Sequence, residues 1–215
     1  MSKRRKVIVG IFIGAVALVV IVAAAAGPLI SRVEQPEYEV TSAEGSIELR
    51  EYSAMILAKV EVKGERKATI NEGFRLIAAY IFGVNEHNAK ISMTAPVQQQ
   101  AKQTIAMMAP VAQQADGGYW TVSFIMPKDW TMETLPAPKD ERVKLVPVPA
   151  KRMVVIRFSG TADDRLIATK TAELSKYAAD HELSITGEPV LAFYNPPWTL
   201  PFFRRNEIML ELAPA

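Results

Sequence analysis

The sequence predicts an α+β domain built from a duplicated β-β-α-β-β unit. Two observations predict it. Segments with a two-residue polar/apolar period come in runs rather than singly between helices, the mark of an antiparallel sheet. The order strand, strand, helix, strand, strand then appears twice along the chain. The expected architecture is two similar halves whose sheets join, with one helix packed against each.

The elements follow in order. Tyr38-Glu39-Val40 and the stretch 46–52 alternate as half-buried strands do, and 54–62 repeats the pattern through Met55, Leu57, Val60 and Val62. Gly64 ends this run. The period then changes: Ile70, Phe74, Ile77, Ala78 and Ile81 fall on one helical stripe, and Gly83 stops the helix. Next comes a short internal repeat, Ile91-Ser92-Met93-Thr94-Ala95-Pro96-Val97 and Ile105-Ala106-Met107-Met108-Ala109-Pro110-Val111, each copy running on into glutamines. Proline is poorly tolerated inside a paired strand, so both copies read as strand ends edging one opening. Asp116-Gly117-Gly118 is a turn signal before a strand over 119–126. An exposed connection over 128–140 leads to the second unit: strands 142–148 and 153–158, a helix over 163–180, strands 190–194 and 207–212. Asp163-Asp164 reads as helix N-capping rather than a catalytic acid pair.

Ahead of this body lies a different kind of segment. Lys3-Arg4-Arg5-Lys6 precedes twenty residues, 7–26, with no charged side chain. At ~1.5 Å rise per residue these span the ~30 Å hydrocarbon core of a bilayer. The basic cluster belongs on the cytoplasmic side, which places the rest of the chain outside the cytoplasm. The expected plan is a basic tail (1–6), a signal-anchor or signal peptide (7–27), a tether (28–36) and one domain (37–215). The apolar length favours an uncleaved anchor, since signal-peptide cores run only ~7–15 residues. The expected location is a plasma or inner membrane, single-pass, with the domain extracytoplasmic (periplasmic in a Gram-negative cell).

Composition narrows the function. The formal charge is +2, but removing the four basic residues of the tail leaves 21 basic against 23 acidic residues. No basic stripe remains for a nucleic-acid backbone. With no cysteine, disulfides, thiolate metal sites and a cysteine nucleophile are excluded. No Ser-His-Asp arrangement, phosphate-cradling glycine loop or metal-spaced cluster is present either, so no enzyme is expected.

Three stretches carry a resemblance: Tyr80-Ile81-Phe82-Gly83-Val84-Asn85, Lys90 to Val97 with its Met-Thr-Ala-Pro core, and Arg204-Arg205-Asn206-Glu207-Ile208. Phe124-Ile125-Met126-Pro127, Leu135-Pro136-Ala137-Pro138 and Arg157-Phe158-Ser159-Gly160 support them. In this order and spacing they resemble the SOUL / haem-binding protein family over essentially the whole body. The resemblance implies a distorted antiparallel β-barrel with two packed helices. It also implies non-covalent binding of haem, or a related tetrapyrrole, in an apolar cleft beside the first helix.

The ligand-binding candidates are Asn71, Phe74, Arg75, Ile77, Ala78 and Ile81 on the first helix, Met93 in the repeat, and Arg204 and Arg205 near the C-terminus. Basic residues that the resemblance implies for the propionates are replaced by Ala79 and Leu200, which leaves Arg75, Arg204 and Arg205. Each lost charge-assisted contact is worth roughly 1–3 kcal/mol. The apolar helix stripe is also what a core face requires, and Met93, Met107 and Met108 suit core or rim packing as well as a soft pocket wall. Arg204, Arg205 and Glu207 can equally pair with one another and lock the last strand. His87 is the axial-ligand candidate for a haem iron, against a solvated loop histidine as the plainer reading; His181 suits a helix end. The expected function is haem buffering or transfer. The alternatives are an enzyme or binder for another hydrophobic molecule in the same cleft, and an envelope interaction module.

Overall fold

The computed structural model describes residues 33–102 and 118–214. The apolar segment 7–27 and the second repeat copy, with Met107 and Met108, lie outside the described residues. Among the described residues no helix is long and apolar enough to cross a membrane.

Nine strands and two helices follow one another as β1 (Tyr38–Glu44), β2 (Ile47–Tyr52), β3 (Met55–Lys63), α1 (Arg66–Ile81), β4 (Val97–Ala101), β5 (Tyr119–Ile125), β6 (Lys144–Val148), β7 (Lys151–Phe158), α2 (Asp164–Asp180), β8 (Ile185–Phe193) and β9 (Asn206–Leu212). The expected α+β class holds, and the order β2-β3-α1-β4-β5 recurs as β6-β7-α2-β8-β9. All strands join one antiparallel sheet in the order β1-β2-β7-β9-β8-β4-β5-β3-β6.

The sheet is not closed into a barrel, which corrects the expectation drawn from the resemblance. Its edges are β1 and β6, and their sequences are edge sequences. In β6, Pro147 lacks an N–H to donate and Lys144 adds a charge, both of which oppose further pairing.

Both helices lie on one face. Residues directly opposite across antiparallel strands share a face, and Phe124, Val97 and Phe193 form such a row across β5, β4 and β8. Phe124 belongs to the core beneath α1, with Ile77, Tyr80, Ile81 and Val122. Phe193 packs against the core beneath α2, with Val154, Ile156, Leu174 and Ile208. The helix-free face curls back on itself, so that Met55 of β3 packs with Met153, Val155 and Met209.

Local chemistry sets the helix ends. Gly83 adopts φ +112°, a backbone open to glycine, as α1 stops. Fully buried Asn85 then ties off the turn: its Nδ2 donates to the Tyr80 and Ala89 carbonyls at 3.0 and 2.7 Å, and its Oδ1 accepts from Ala89 N at 2.9 Å. At α2, the Asp163 carboxylate accepts from Leu166 N at 2.8 Å, as the capping reading requires. Replacing Asp163 by alanine is expected to cost about 1 kcal/mol and replacement by asparagine little. The denaturant midpoint of each variant against wild type checks this.

Candidate functional site

Every designated residue of the first helix is on α1, but the sheet divides them. Ile77 and Ile81 are 0 % and 1 % exposed and face the core. Asn71 and Arg75 are exposed, Ala78 is at the margin, and Phe74 stays 39 % exposed while its ring meets that of Phe124 at a tilt of 57° with centroids 5.3 Å apart. Phe74, Ala78 and Phe82 recur every fourth residue along this flank, and Phe82 is 60 % exposed. Eight residues at helical rise put the Cα atoms of Phe74 and Phe82 about 12 Å apart along the axis. Arg75 has no ion-pair or hydrogen-bond partner among the described residues. The flank thus offers two aromatic side chains and a free guanidinium. Half-buried Met93 packs against the core under α1, and the Phe124–Val97–Phe193 row continues the apolar floor.

The remaining candidates are not brought here. Two of the three guanidinium nitrogens of Arg204 are taken by carbonyls, Nε by Thr199 at 2.7 Å and Nη2 by Pro197 at 2.6 Å. Arg205 lies on the helix-free face. There its Nε and Nη2 meet Glu207 Oε1 at 2.9 and 2.7 Å, its Nη1 donates to Gln35 Oε1 at 3.0 Å, and its guanidinium sits 3.9 Å from the Tyr194 ring centroid. His87 is exposed in the loop after α1, and His181 stacks on Tyr177 at the end of α2.

Arg205 belongs to a buried network that the sequence motif only half reveals. Arg50 and Glu207 side chains are 1 % and 0 % exposed. The Arg50 guanidinium grips Glu207 with two bonds, of 2.9 and 3.1 Å, and also donates to Tyr52 Oη at 2.9 Å and Glu48 at 2.7 Å. Tyr194 Oη donates to Glu207 Oε2 at 2.7 Å. Burial alone would raise the Glu207 carboxyl, but the hydrogen bonds and charges of Arg50, Arg205 and Tyr194 outweigh it and hold it below its ordinary 4.5. Burial pushes the Tyr52 phenol up to about 12, against the pull of Arg50. Glu207 therefore stays ionised and fully engaged. Its chemistry is that of an internal clamp, not a general acid.

Two open grooves exist elsewhere, and neither includes the Phe74 flank. Arg66 bridges the N-terminal turns of the helices, meeting Asp164 at 2.7 Å and the Ala162 carbonyl at 3.0 Å. Beyond this bridge, over the ends of β4 and β5, lies a groove of about 520 Å³ lined by Trp120, Ile167, Thr171 and Leu191. A second, of about 390 Å³, is lined by Met55, Ile56, Met126, Trp130 and Met132 beside residues 34–37. Among the described residues no cluster of three or more metal-ligating side chains occurs.

Comparison with known proteins places the fold. The C-terminal domain of EcmrR superposes with a TM-score of 0.58 at 11 % identity, covering 83 % of this chain and 99 % of that one. An uncharacterised conserved protein from Listeria innocua gives 0.59 at 15 % identity, covering 80 % and 94 %. A hydrolase from Listeria innocua gives 0.54 at 13 % identity over the same shares. At such identities the likeness is one of fold alone. No curated protein matches the chain. The family model described as SOUL heme-binding protein matches residues 33–211, the whole described domain bar its last residues, so the chain belongs to the SOUL heme-binding family.

Proposed function

We propose that this protein binds haem or a related flat tetrapyrrole non-covalently, for buffering or transfer without a catalytic step, in a domain tethered to a membrane by residues 7–27. The family match over residues 33–211 carries the reading. The α1 flank supports it: Phe74 and Phe82 offer stacking faces, and Arg75 offers a guanidinium to a propionate. With Arg204 and Arg205 engaged elsewhere, one charge-assisted contact remains where the resemblance implies more, which points to weak, readily released binding suited to transfer.

The test is titration of haemin into the full chain in detergent, followed at the Soret band. Saturable one-to-one binding is expected, with Phe74→Glu weakening it about tenfold or more, since a carboxylate then stands against the propionates. Phe74 is part-exposed, so the variant keeps its core. Binding indifferent to Phe74→Glu would remove this site. Binding lost instead in Trp130→Ala would move it to the 390 Å³ groove. Replacing His87 by alanine reads axial ligation directly: an altered Soret position assigns it, and an unchanged one leaves the iron ligated by another group.

A further inference from the structure

The segment 196–203, Pro-Pro-Trp-Thr-Leu-Pro-Phe-Phe, holds the two most exposed large hydrophobic side chains of the described residues, Trp198 at 72 % and Phe202 at 65 %, and beside them Phe203 at 48 %. It is a built loop rather than a frayed one. The two Arg204 bonds to the Pro197 and Thr199 carbonyls close it from within. Thr199 N donates to Pro196 O at 3.0 Å, Phe203 N to Leu200 O at 2.9 Å, and Gly160 N to Pro201 O at 2.9 Å. Three prolines stiffen it further. The rings of Phe202 and Phe203 lie 4.5 Å apart between centroids, against each other. Large apolar side chains fixed outward in this way lose little freedom on meeting a partner.

The position of the loop identifies the partner. Arg205, two residues past Phe203, donates to Gln35 at 3.0 Å and reaches the Tyr38 hydroxyl at 3.5 Å. Glu34 is held in turn by Ala95 N at 2.9 Å. The aromatic loop and the start of the described chain therefore share one end of the domain. The apolar run ends at Ala26, and the seven residues to Val33 reach at most about 25 Å. If that run spans a bilayer, Val33 hangs within this distance of its surface, at the end of the domain that carries the loop. The cations here are already engaged: Arg204 by carbonyls, Arg205 by Glu207, and Lys128 by Glu37 at 3.0 Å. What remains is aromatic, and Trp and Phe partition into the headgroup region.

We propose that Trp198, Phe202 and Phe203 seat on the lipid surface beside the anchor and fix the orientation of the domain on its membrane. This rests on residues 7–27 being the membrane anchor, and it does not depend on haem binding. The experiment reconstitutes the full chain into phosphatidylcholine vesicles, with and without bromine on the acyl chains. Retention after an alkaline carbonate wash reports the anchor. Tryptophan emission is compared between wild type and Trp198→Phe, and in Trp120→Phe/Trp130→Phe, where Trp198 is the sole indole. The expected result is retained protein whose Trp198 emission is quenched by bromolipid and several-fold less accessible to acrylamide than in Phe202→Ser/Phe203→Ser on the same background. Raised salt should leave this unchanged, because no charge pair holds the contact. Retained protein with Trp198 open to acrylamide and untouched by bromolipid overturns the proposal. So does Trp198 shielded from acrylamide but untouched by bromolipid, which means a protein contact instead. Protein washed from the vesicles defeats the anchor and this inference together, and leaves the haem titration in detergent standing.

Discussion

Replacing Glu207 by glutamine is expected to lower the unfolding free energy by about 3–5 kcal/mol, the cost of removing one partner from a buried ion pair. For a chain of this length that corresponds to a fall of roughly 6–20 °C in Tm. The size follows from what remains behind. Arg50, 1 % exposed, would keep its charge with only Glu48 and two phenols for company, and Arg205 would lose its carboxylate as well. Adding Arg50→Met to Glu207→Gln removes the stranded cation. The double variant should recover part of the loss, with a coupling of about 1 kcal/mol or more in a double-mutant cycle. Equal, additive losses would mean that the pair is not the clamp described.

The same network fixes the pH window. Glu207 is lower in the folded chain than its ordinary 4.5, so its contribution is fully present above that value and is lost as pH falls through the folded one. Tyr52 shifts the other way, from 10.0 to about 12, and Tyr194 is raised too, both by burial first. Folding therefore favours their neutral forms, which gives stability present below pH 10 and lost above it as the unfolded chain ionises. Denaturation monitored across pH should show a plateau between these limits. Glu207→Gln should flatten its acid limb.

How much of this could be read from the sequence depends on the range of the interaction. The helices were legible because their period is local, and α2 runs Asp164–Asp180 against an expected 163–180. The stripe on α1 was legible as a stripe, but periodicity fixes an angle and not what covers it. Ile77 and Ile81 are sealed by the sheet, while Phe74 and Phe82 stay outside. Strand β4, Val97-Gln98-Gln99-Gln100-Ala101, lacks an apolar alternation and shows in the sequence only as the glutamine run after a strand-end repeat, yet it runs between β5 and β8. Its Gln99 is fully buried, held by the Arg66 carbonyl at 2.7 Å and the Thr69 hydroxyl at 3.0 Å, a role that composition cannot announce. In the Arg-Arg-Asn-Glu motif, pairing of Arg205 with Glu207 was foreseeable at two-residue spacing. The partner 157 residues away, Arg50, was not, because only the order β2-β7-β9 brings it near. In the alternation of 46–52 Arg50 takes an ordinary polar position between Leu49 and Glu51, so nothing local marks it as buried.

Gly73 was also silent in the sequence, and it governs the candidate site. A glycine in mid-helix costs about 1 kcal/mol relative to alanine, so one with an ordinary helical backbone needs a steric reason. The reason is Val122 of β5: a Cβ at Gly73 would lie 2.5 Å from its Cβ and 2.6 Å from a γ-carbon. These are branched side-chain atoms on a central strand and cannot swing aside. Gly73→Ala must therefore lift α1 off β5, and about 1–3 kcal/mol of overpacking outweighs the gain in helix propensity. The lift acts on function through the next residue, since Phe74 lies on Phe124 of the same strand. Haemin affinity is expected to fall together with stability. Gly73→Ala/Val122→Ala makes room for the new methyl and should bring the helix back down, restoring affinity more fully than stability because a smaller core residue remains. A Gly73→Ala variant as stable as wild type would show that the helix and strand are not in the contact described. Lost stability with unchanged affinity would instead separate the haem site from the α1 flank.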